Sequence, residues 1–358
     1  MPNQRDVARA AGVSSATVSR FLNNPESVSR TAAESIRAAI SALDYRVDHS
    51  AQALRTGKSR HIGVLAPGGG PFHLTAYMAA QAVFHEAGYF STLYLTWDDT
   101  GKPSQPLAPL AQGKQIDGVL YFPTLHPTDE EGIKQLSQWA KPFVILDRPM
   151  PHSPLPQVYI DNYNAGCQAA RALIENGHRD FLFLWGLPEF PSAQSRFQGF
   201  RDALQNSGIS LQLERQLEGE FFSLTAYEAT MRRWDTLPPF TAVFASNDSS
   251  ALGFLKAARE HGSESPRDFS LVGFDDNFEF TLLYEPPLAT FRQPAGELGH
   301  QGAKMLLSLL EGSSLAPTQM ALQAEFIARA SLGSVPGSAP AVASMGEMRT
   351  RPIPKSFR

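Results

Sequence analysis

Apolar positions in the first 45 residues recur at helical spacing. Residues 5–11 read as one short helix, and Gly12-Val13 as a turn in which Gly12 is free to take positive φ. Ser14 suits the N-cap of a second helix that runs to about Asn23, and Asn24-Pro25 breaks it. A third helix is predicted from about 31 to 43, with Ile36, Ile40 and Leu43 on one face. The stretch 46–60 is polar and basic around a short Ala/Leu run at 50–54, and reads as a linker with one or two helical turns at most.

From His61 the pattern becomes an alternation of strands and helices. Strands are predicted at 62–66, 90–95, 118–122, 143–146, 158–160, 181–185, 242–245 and 270–274. Helices are predicted at 74–87, after 160 up to Asn176-Gly177, and at 251–261. Such alternation gives parallel sheets with helices on both faces. A body of this length exceeds one typical domain and reads as two α/β lobes. Residues 333–358, rich in Gly, Pro, Ser and Ala, have a composition that predicts disorder.

Composition narrows the class. Hydrophobic residues make up 42% of the 358 residues and charged residues 18%, which suits packed cores and excludes a disordered chain. The one cysteine, Cys167, cannot form an internal disulfide and reads as an ordinary buried thiol. No apolar run is long enough to span a membrane, and the first 30 residues lack the apolar region of a secretory signal, so a cytoplasmic location is expected. Charge is uneven. Residues 1–60 carry nine Lys/Arg against five acids, a net of +4, inside a chain whose total is −4. A basic head on an acidic body suits a polyanionic partner for the head, although a solvated cap would carry the same charge.

The segment Arg5-Asp6-Val7-Ala8-Arg9-Ala10-Ala11-Gly12-Val13-Ser14-Ser15-Ala16-Thr17-Val18-Ser19-Arg20-Phe21-Leu22-Asn23-Asn24 has helix-turn-helix spacing. Val7, Ala8, Val13, Val18 and Leu22 can form a small core, which leaves Ser15, Ala16, Ser19, Arg20 and Asn23 as one outer stripe. That stripe fits a major groove, where an arginine pairs with guanine. Periodicity alone leaves a solvated helical cap equally open.

This segment, continued through Val28-Ser29 and Leu43-Asp44-Tyr45, resembles the head of the LacI/GalR family of bacterial repressors. The resemblance implies that Ser15, Ala16 and Arg20 read base edges, and that Thr17, Ser19, Asn23 and Tyr45 lie near phosphates. Phe21 is bulkier than the aliphatic residue usual there, so different local packing is expected. The linker run Ser50-Ala51-Gln52-Ala53-Leu54 resembles the family's hinge helix, with Ala51 and Leu54 at the minor groove and Leu54 as an apolar wedge. Val47, His49 and Gln52 depart from the family pattern. The other reading of Leu54, a linker leucine packed on the body, stays open.

The resemblance extends more weakly to about residue 332. It implies a small all-α helix-turn-helix head (1–45), a hinge (46–60) and an α/β body (61–332) of two periplasmic-binding-protein-like lobes with parallel sheets and three crossovers. One lobe is expected from 61–160 and 293–320, the other from 161–290 and 321–332. Carboxylates, amides and arginine at strand ends suit a polyol. The candidate effector contacts are Phe72, Asp147, Trp185, Arg196, Asn247 and Asp275. Asn247, Asp248 and Asp275 also suit helix caps, whereas Arg196 at a helix start opposes the helix dipole and needs another reason.

No catalytic, metal or cofactor motif stands out, and core or surface roles are expected for all nine histidines, His73 and His126 included. The expected protein is a non-enzymatic, ligand-responsive regulator that binds double-stranded operator DNA as a homodimer, with a sugar or sugar phosphate as effector. A solute-binding protein of a transport system shares the body fold, but the head and the missing secretory signal argue against it. An enzyme with an accessory head lacks an acid/base pair in motif context.

Overall fold

A computed structural model of the chain describes residues 2–45, 58–68, 70–96, 115–123, 141–149, 155–276, 281–313 and 318–335. It forms two compact units, 1–60 and 61–358.

The first unit holds three helices, α1 (Gln4–Ala10), α2 (Ser15–Asn23) and α3 (Arg30–Ala42), each with a side-chain cap at its N-terminus. Asn3 and Asp6 form a reciprocal capping box on α1. Ser14 Oγ accepts from Thr17 N–H, and Ser29 Oγ from Ala32 N–H. Gly12, at φ +67°, makes the turn between α1 and α2 that a side chain would strain. Val7, Ala8, Val18, Phe21, Ala33, Ile36 and Ala39 are the buried core. Phe21 thus points inward, and the Arg37 guanidinium lies 5.4 Å from its ring centroid. Packing there does depart from an aliphatic arrangement, because the ring also serves as a cation platform.

The second unit has two parallel sheets. The first runs in the order β2-β1-β3-β4-β5-β11, from β1 (His61–Ala66), β2 (Phe90–Leu95), β3 (Gly118–Tyr121), β4 (Phe143–Asp147), β5 (Gln157–Ile160) and β11 (Gln319–Leu322). Helices α4 (Pro71–Glu86) and α9 (Ala295–Leu310) pack together on it. The second runs β7-β6-β8-β9, from β6 (Phe181–Trp185), β7 (Gln216–Glu218), β8 (Ala242–Ala245) and β9 (Ser270–Val272). Its helices are α5 (Asn162–Glu175), α6 (Pro191–Asn206), α7 (Ser223–Arg233) and α8 (Asp248–Glu260). The central strands are apolar throughout, as parallel strands covered on both faces require. Both sheets reverse the direction of strand addition, between β1 and β3 and between β6 and β8. Ligands bind at such switch points, beyond the strands' C-terminal ends.

The chain passes between lobes at 160–162, at 292–295 between β10 (Thr290–Arg292) and α9, and at 322–325 between β11 and β12 (Glu325–Ile327). The β10 and β12 strands pair antiparallel. The passages are tied together. Asp161 N–H donates to Leu322 O, Gln323 Nε2 to Asp161 Oδ2, and Arg292 bridges Asp276 and Glu325.

Several expected boundaries move. Residues 321 and 322 stay on the first lobe's sheet through β11 rather than starting the second lobe. The last strand of the second sheet stops at Val272, so Gly273 and Phe274 lie beyond it. Gly333 and Val335 continue the body past 332. Gly333 exchanges hydrogen bonds with Ser270 Oγ, and Val335 N–H donates to Asn176 O. Cys167 is buried and donates to Gly199 O.

Candidate functional site

On the head, Ser15, Ala16 and Arg20 are exposed on α2, while Thr17 and Ser19 are half-buried. Thr17 Oγ1 shares a 2.8 Å hydrogen bond with the capping Ser14 Oγ, so its hydroxyl is fixed by the helix start. Tyr45 packs against the head's core and donates its backbone N–H to Ile40 O. The side chain of Asn23, the hinge residues Ala51 and Leu54, and the atypical Val47, His49 and Gln52 lie outside the described residues.

The body's cleft is built around Arg196. Helices α5 and α6 meet at Gly166 and Gly199, where an added Cβ would lie 2.0 Å from Arg196 O and 1.9 Å from Tyr163 O. That close approach sets Asn162, at the start of α5, beside Arg196. Arg196 Nε and Nη2 donate to Asn162 Oδ1 at 3.2 and 2.6 Å, and Nη1 donates to Ser246 O. The guanidinium carbon sits 3.3 Å from the Phe274 ring centroid. A guanidinium has five N–H groups, and these three bonds leave two for another partner.

Three carboxylates face this cation, those of Asp147, Asp248 and Asp275. Burial draws Arg196 down to about 10, the carboxylates oppose the shift, and it stays cationic at neutral pH. Asp147 ends β4 in the first lobe and Asp275 follows β9 in the second. Both have positive φ, +75° and +122°. Strain of this kind gathers at binding sites. Burial raises both, Asp275 to about 6; Arg196 and Gln293 Nε2, which donates at 2.6 Å, pull Asp275 down, while Asp147 adds to the rise.

Aromatic groups complete the walls. Phe72, in the first turn of α4, packs against the cores of both lobes. It is therefore an inter-lobe contact as well as an apolar surface. Trp185 donates Nε1–H to Gln216 Oε1 at 2.8 Å and stacks 4.3 Å from Phe197, which ties it into the second lobe's core. Asn247 caps α8 by accepting from Ser250 N–H, and its Nδ2 donates to Phe221 O. Its amide thus holds the turn in which Phe221 has φ +65°. Asp248 accepts from Thr290 Oγ1 at 2.6 Å, a structural bond to the crossover strand β10.

Arg148 and His73 lie beside these residues and were not among the candidates read from the sequence. Arg148 donates to Pro123 O and lays its guanidinium over Phe190, whose ring is 5.6 Å from that of Phe221. His73 meets Phe72 and Phe122 edge to face. The Asp147-Arg148 pair at a strand end was the one local signal for the first; nothing near His73 in sequence marks the second.

Comparison with known proteins agrees with this division. Residues 4–48 match the family of bacterial regulatory proteins, lacI family, and residues 170–332 match the periplasmic binding protein-like domain. The HTH-type transcriptional repressor CytR of Escherichia coli K12 is 32% identical over 335 residues, spanning 93% of this chain and 96% of CytR. The HTH-type transcriptional repressor PurR of Pectobacterium atrosepticum is 32% identical over 309 residues, spanning 86% of this chain and 90% of PurR. A complex of the transcriptional regulator CelR with cellobiose matches with a TM-score of 0.70 at 27% identity, covering 92% of this chain and 100% of that one.

Proposed function

Because the chain belongs to the lacI family of bacterial regulatory proteins, and is thus a transcriptional repressor with a ligand-binding domain, we propose that two copies bind a near-palindromic operator and that a small carbohydrate in the cleft modulates the affinity. The observation that carries the effector reading is Arg196. It is a buried cation with two N–H groups left over, set between carboxylates from opposite lobes. Vicinal hydroxyls would accept from the arginine and donate to Asp147 and Asp275. The likeness to a regulator solved with cellobiose supports the same class.

In this reading Ser15, Ala16 and Arg20 read bases in the major groove, Thr17, Ser19, Asn23 and Tyr45 meet phosphates, and Ala51 and Leu54 enter the minor groove. Phe72, Asp147, Trp185, Arg196, Asn247 and Asp275 form the effector site, Asn247 through its hold on Phe221. A homodimer fits the exposed Leu74 and Met78 of α4 beside Phe90 and Leu95 on the edge strand β2. Matched pairs of heads and half-sites then share one symmetry axis. No helix among the described residues is long and apolar enough to cross a membrane. The place of action in this reading is the bacterial cytoplasm, on the nucleoid. A transport-type solute-binding protein is not favoured, since the relatives across nearly the whole chain are repressors.

The test starts from duplexes selected by the purified protein out of a random pool. Affinity for the winning duplex is then measured over a salt series, with and without cellobiose, D-ribose and D-glucose. A preferred near-palindrome, a steep salt dependence and a response to at least one sugar are expected. Absence of sequence preference would overturn the operator reading, and indifference to carbohydrates the effector reading.

A further inference from the structure

We infer that His73 is a further specificity-determining residue of the cleft, which hydrogen-bonds a hydroxyl of an uncharged sugar and selects that sugar over its phosphate ester. This rests on the carbohydrate reading above and narrows it.

Position is the first argument. His73 lies in the first turn of α4, just beyond β1, and Phe122 lies just beyond β3. These two strands flank the switch point of the first lobe's sheet, where a ligand of an open α/β sheet is expected. Orientation is the second. The imidazole stands edge to face against Phe72, with centroids 5.4 Å apart at 80°, and against Phe122, 5.2 Å apart at 82°. Two rings nearly perpendicular to it fix its plane before any ligand arrives.

The third argument is an unused capacity. Among the described residues, neither ring nitrogen of His73 has a hydrogen-bond partner. His178, fully buried in this chain, bonds Thr241 and Ser270, whereas the half-buried His73 keeps its ring nitrogens open to a ligand. Burial, helped by the Arg148 cation, pushes His73 down to about 4, so the ring is neutral at physiological pH. A neutral imidazole has one donor and one acceptor nitrogen. A sugar hydroxyl offers the same pair of capacities.

Charge excludes the phosphate. Arg196 already faces Asp147, Asp248 and Asp275, and Arg148 pairs with Asp147 at 3.6 Å. A phosphate dianion would add negative charge beside Asp147 and Asp275, where the Asp147 carboxylate already raises the proton affinity of Asp275. The remaining group able to offset it, His73, is kept neutral by burial, with the Arg148 cation adding to the effect.

The experiment uses the full-length protein and defined probes. Cellobiose, D-ribose and D-glucose are compared by titration calorimetry with ribose 5-phosphate and glucose 6-phosphate. At least one neutral sugar should bind, and more tightly than its phosphate ester. For that sugar, His73→Ala should raise Kd about tenfold, the worth of one buried hydrogen bond. His73→Gln, which keeps a donor and an acceptor, should recover most of the loss. Far-ultraviolet circular dichroism and operator binding should be unchanged in both variants, and the His73 ring resonance of the wild type should shift on sugar addition. Unaltered sugar affinity in His73→Ala, an unmoved resonance, or tighter binding of the phosphate ester would each overturn this inference while leaving the carbohydrate reading in place. Failure of every carbohydrate to bind would overturn both.

Discussion

The guanidinium of Arg148, at the exit of β4 in one lobe, lies over the ring of Phe190, at the cap of α6 in the other, 4.3 Å from its centroid. The arginine is anchored on its own side by Asp147 and by Pro123 O. It therefore acts as a latch between the two lobes. A desolvated cation–π contact contributes up to about 2 kcal/mol. A double-mutant cycle of Arg148→Met and Phe190→Leu, read by chemical unfolding of the body, should give a coupling of about 1 kcal/mol. Additive losses would show that the two residues act independently.

The contact of α5 with α6 tolerates no side chain at its two glycines. Gly199→Ala should cost about 3 kcal/mol, since its Cβ would strike the Tyr163 carbonyl and helix backbones cannot rotate out of the way. Separation of the helices should also remove Asn162 from Arg196 and abolish any sugar response. Gly296→Ala is the control. It lies in α9 with open space around it, and should stabilise by about 0.5–1 kcal/mol. Urea denaturation of both variants checks the contrast.

Asp276 joins β10 to the segment that follows β12 through Arg292 and Arg329, at 2.7 and 2.6 Å. Burial would raise its carboxyl, but the two arginines hold it below the ordinary carboxylate value. A depressed folded value means that its contribution to stability is complete above the unfolded value near 3.8 and is lost as pH falls through the folded value. Asp276→Ala leaves Arg329 buried without its partner and should cost about 3 kcal/mol at pH 7. The cost relative to wild type should shrink in the acid limb of a pH-dependent melting series.

Asp275 has the opposite sign. Its folded value, about 6, lies above the unfolded value of 3.8 because burial opposes the charge. The associated stability is complete below pH 3.8 and is lost as pH rises through about 6. Asp275→Asn, which cannot ionise, should therefore gain stability relative to wild type at pH 8 and lose that advantage near pH 4. A constant difference across the series would show that Asp275 does not titrate in this range.

Arg20 is exposed on the outer face of α2 with no ion pair among the described residues. Arg20→Ala should lower affinity for the selected duplex by about 1–3 kcal/mol and relax preference at one base pair of each half-site. Competition against single-base variants of that duplex measures this directly. Unchanged discrimination would confine Arg20 to the phosphate backbone.

Legibility in the sequence followed the range of the interactions. Ser14 could be read as a cap, and 90–95 as a strand, because a cap spans three residues and a half-exposed edge strand alternates. The 216–218 strand and α7 were not read. The first has a single buried residue, Leu217, and the second buries only Ala226, Ala229 and Thr230, too small to mark an apolar face. Asp275 stood out as a polar group beyond a strand end, and Arg196 as an arginine expected at a helix start; α6 begins at Pro191, so Arg196 lies in its second turn instead. His73 did not stand out, since Phe122 and Arg148, which define its surroundings, come from other strands. Asn247 was ambiguous on the residues alone; its bonds to Ser250 and Phe221 explain why both a cap and a site residue were plausible.

The threefold passage between lobes also sets an order of assembly during synthesis. The head's core is complete once Tyr45 has emerged, whereas the first lobe waits for β11, at 319–322, and the second for Ser331, whose hydroxyl closes on Leu271 and Ala289. At translation rates of about 5–20 residues per second, the body trails the head by roughly 15–60 s. A nascent chain released before these segments would carry a completed head core and unclosed lobes, so the ligand-binding body is the later of the two units to be finished.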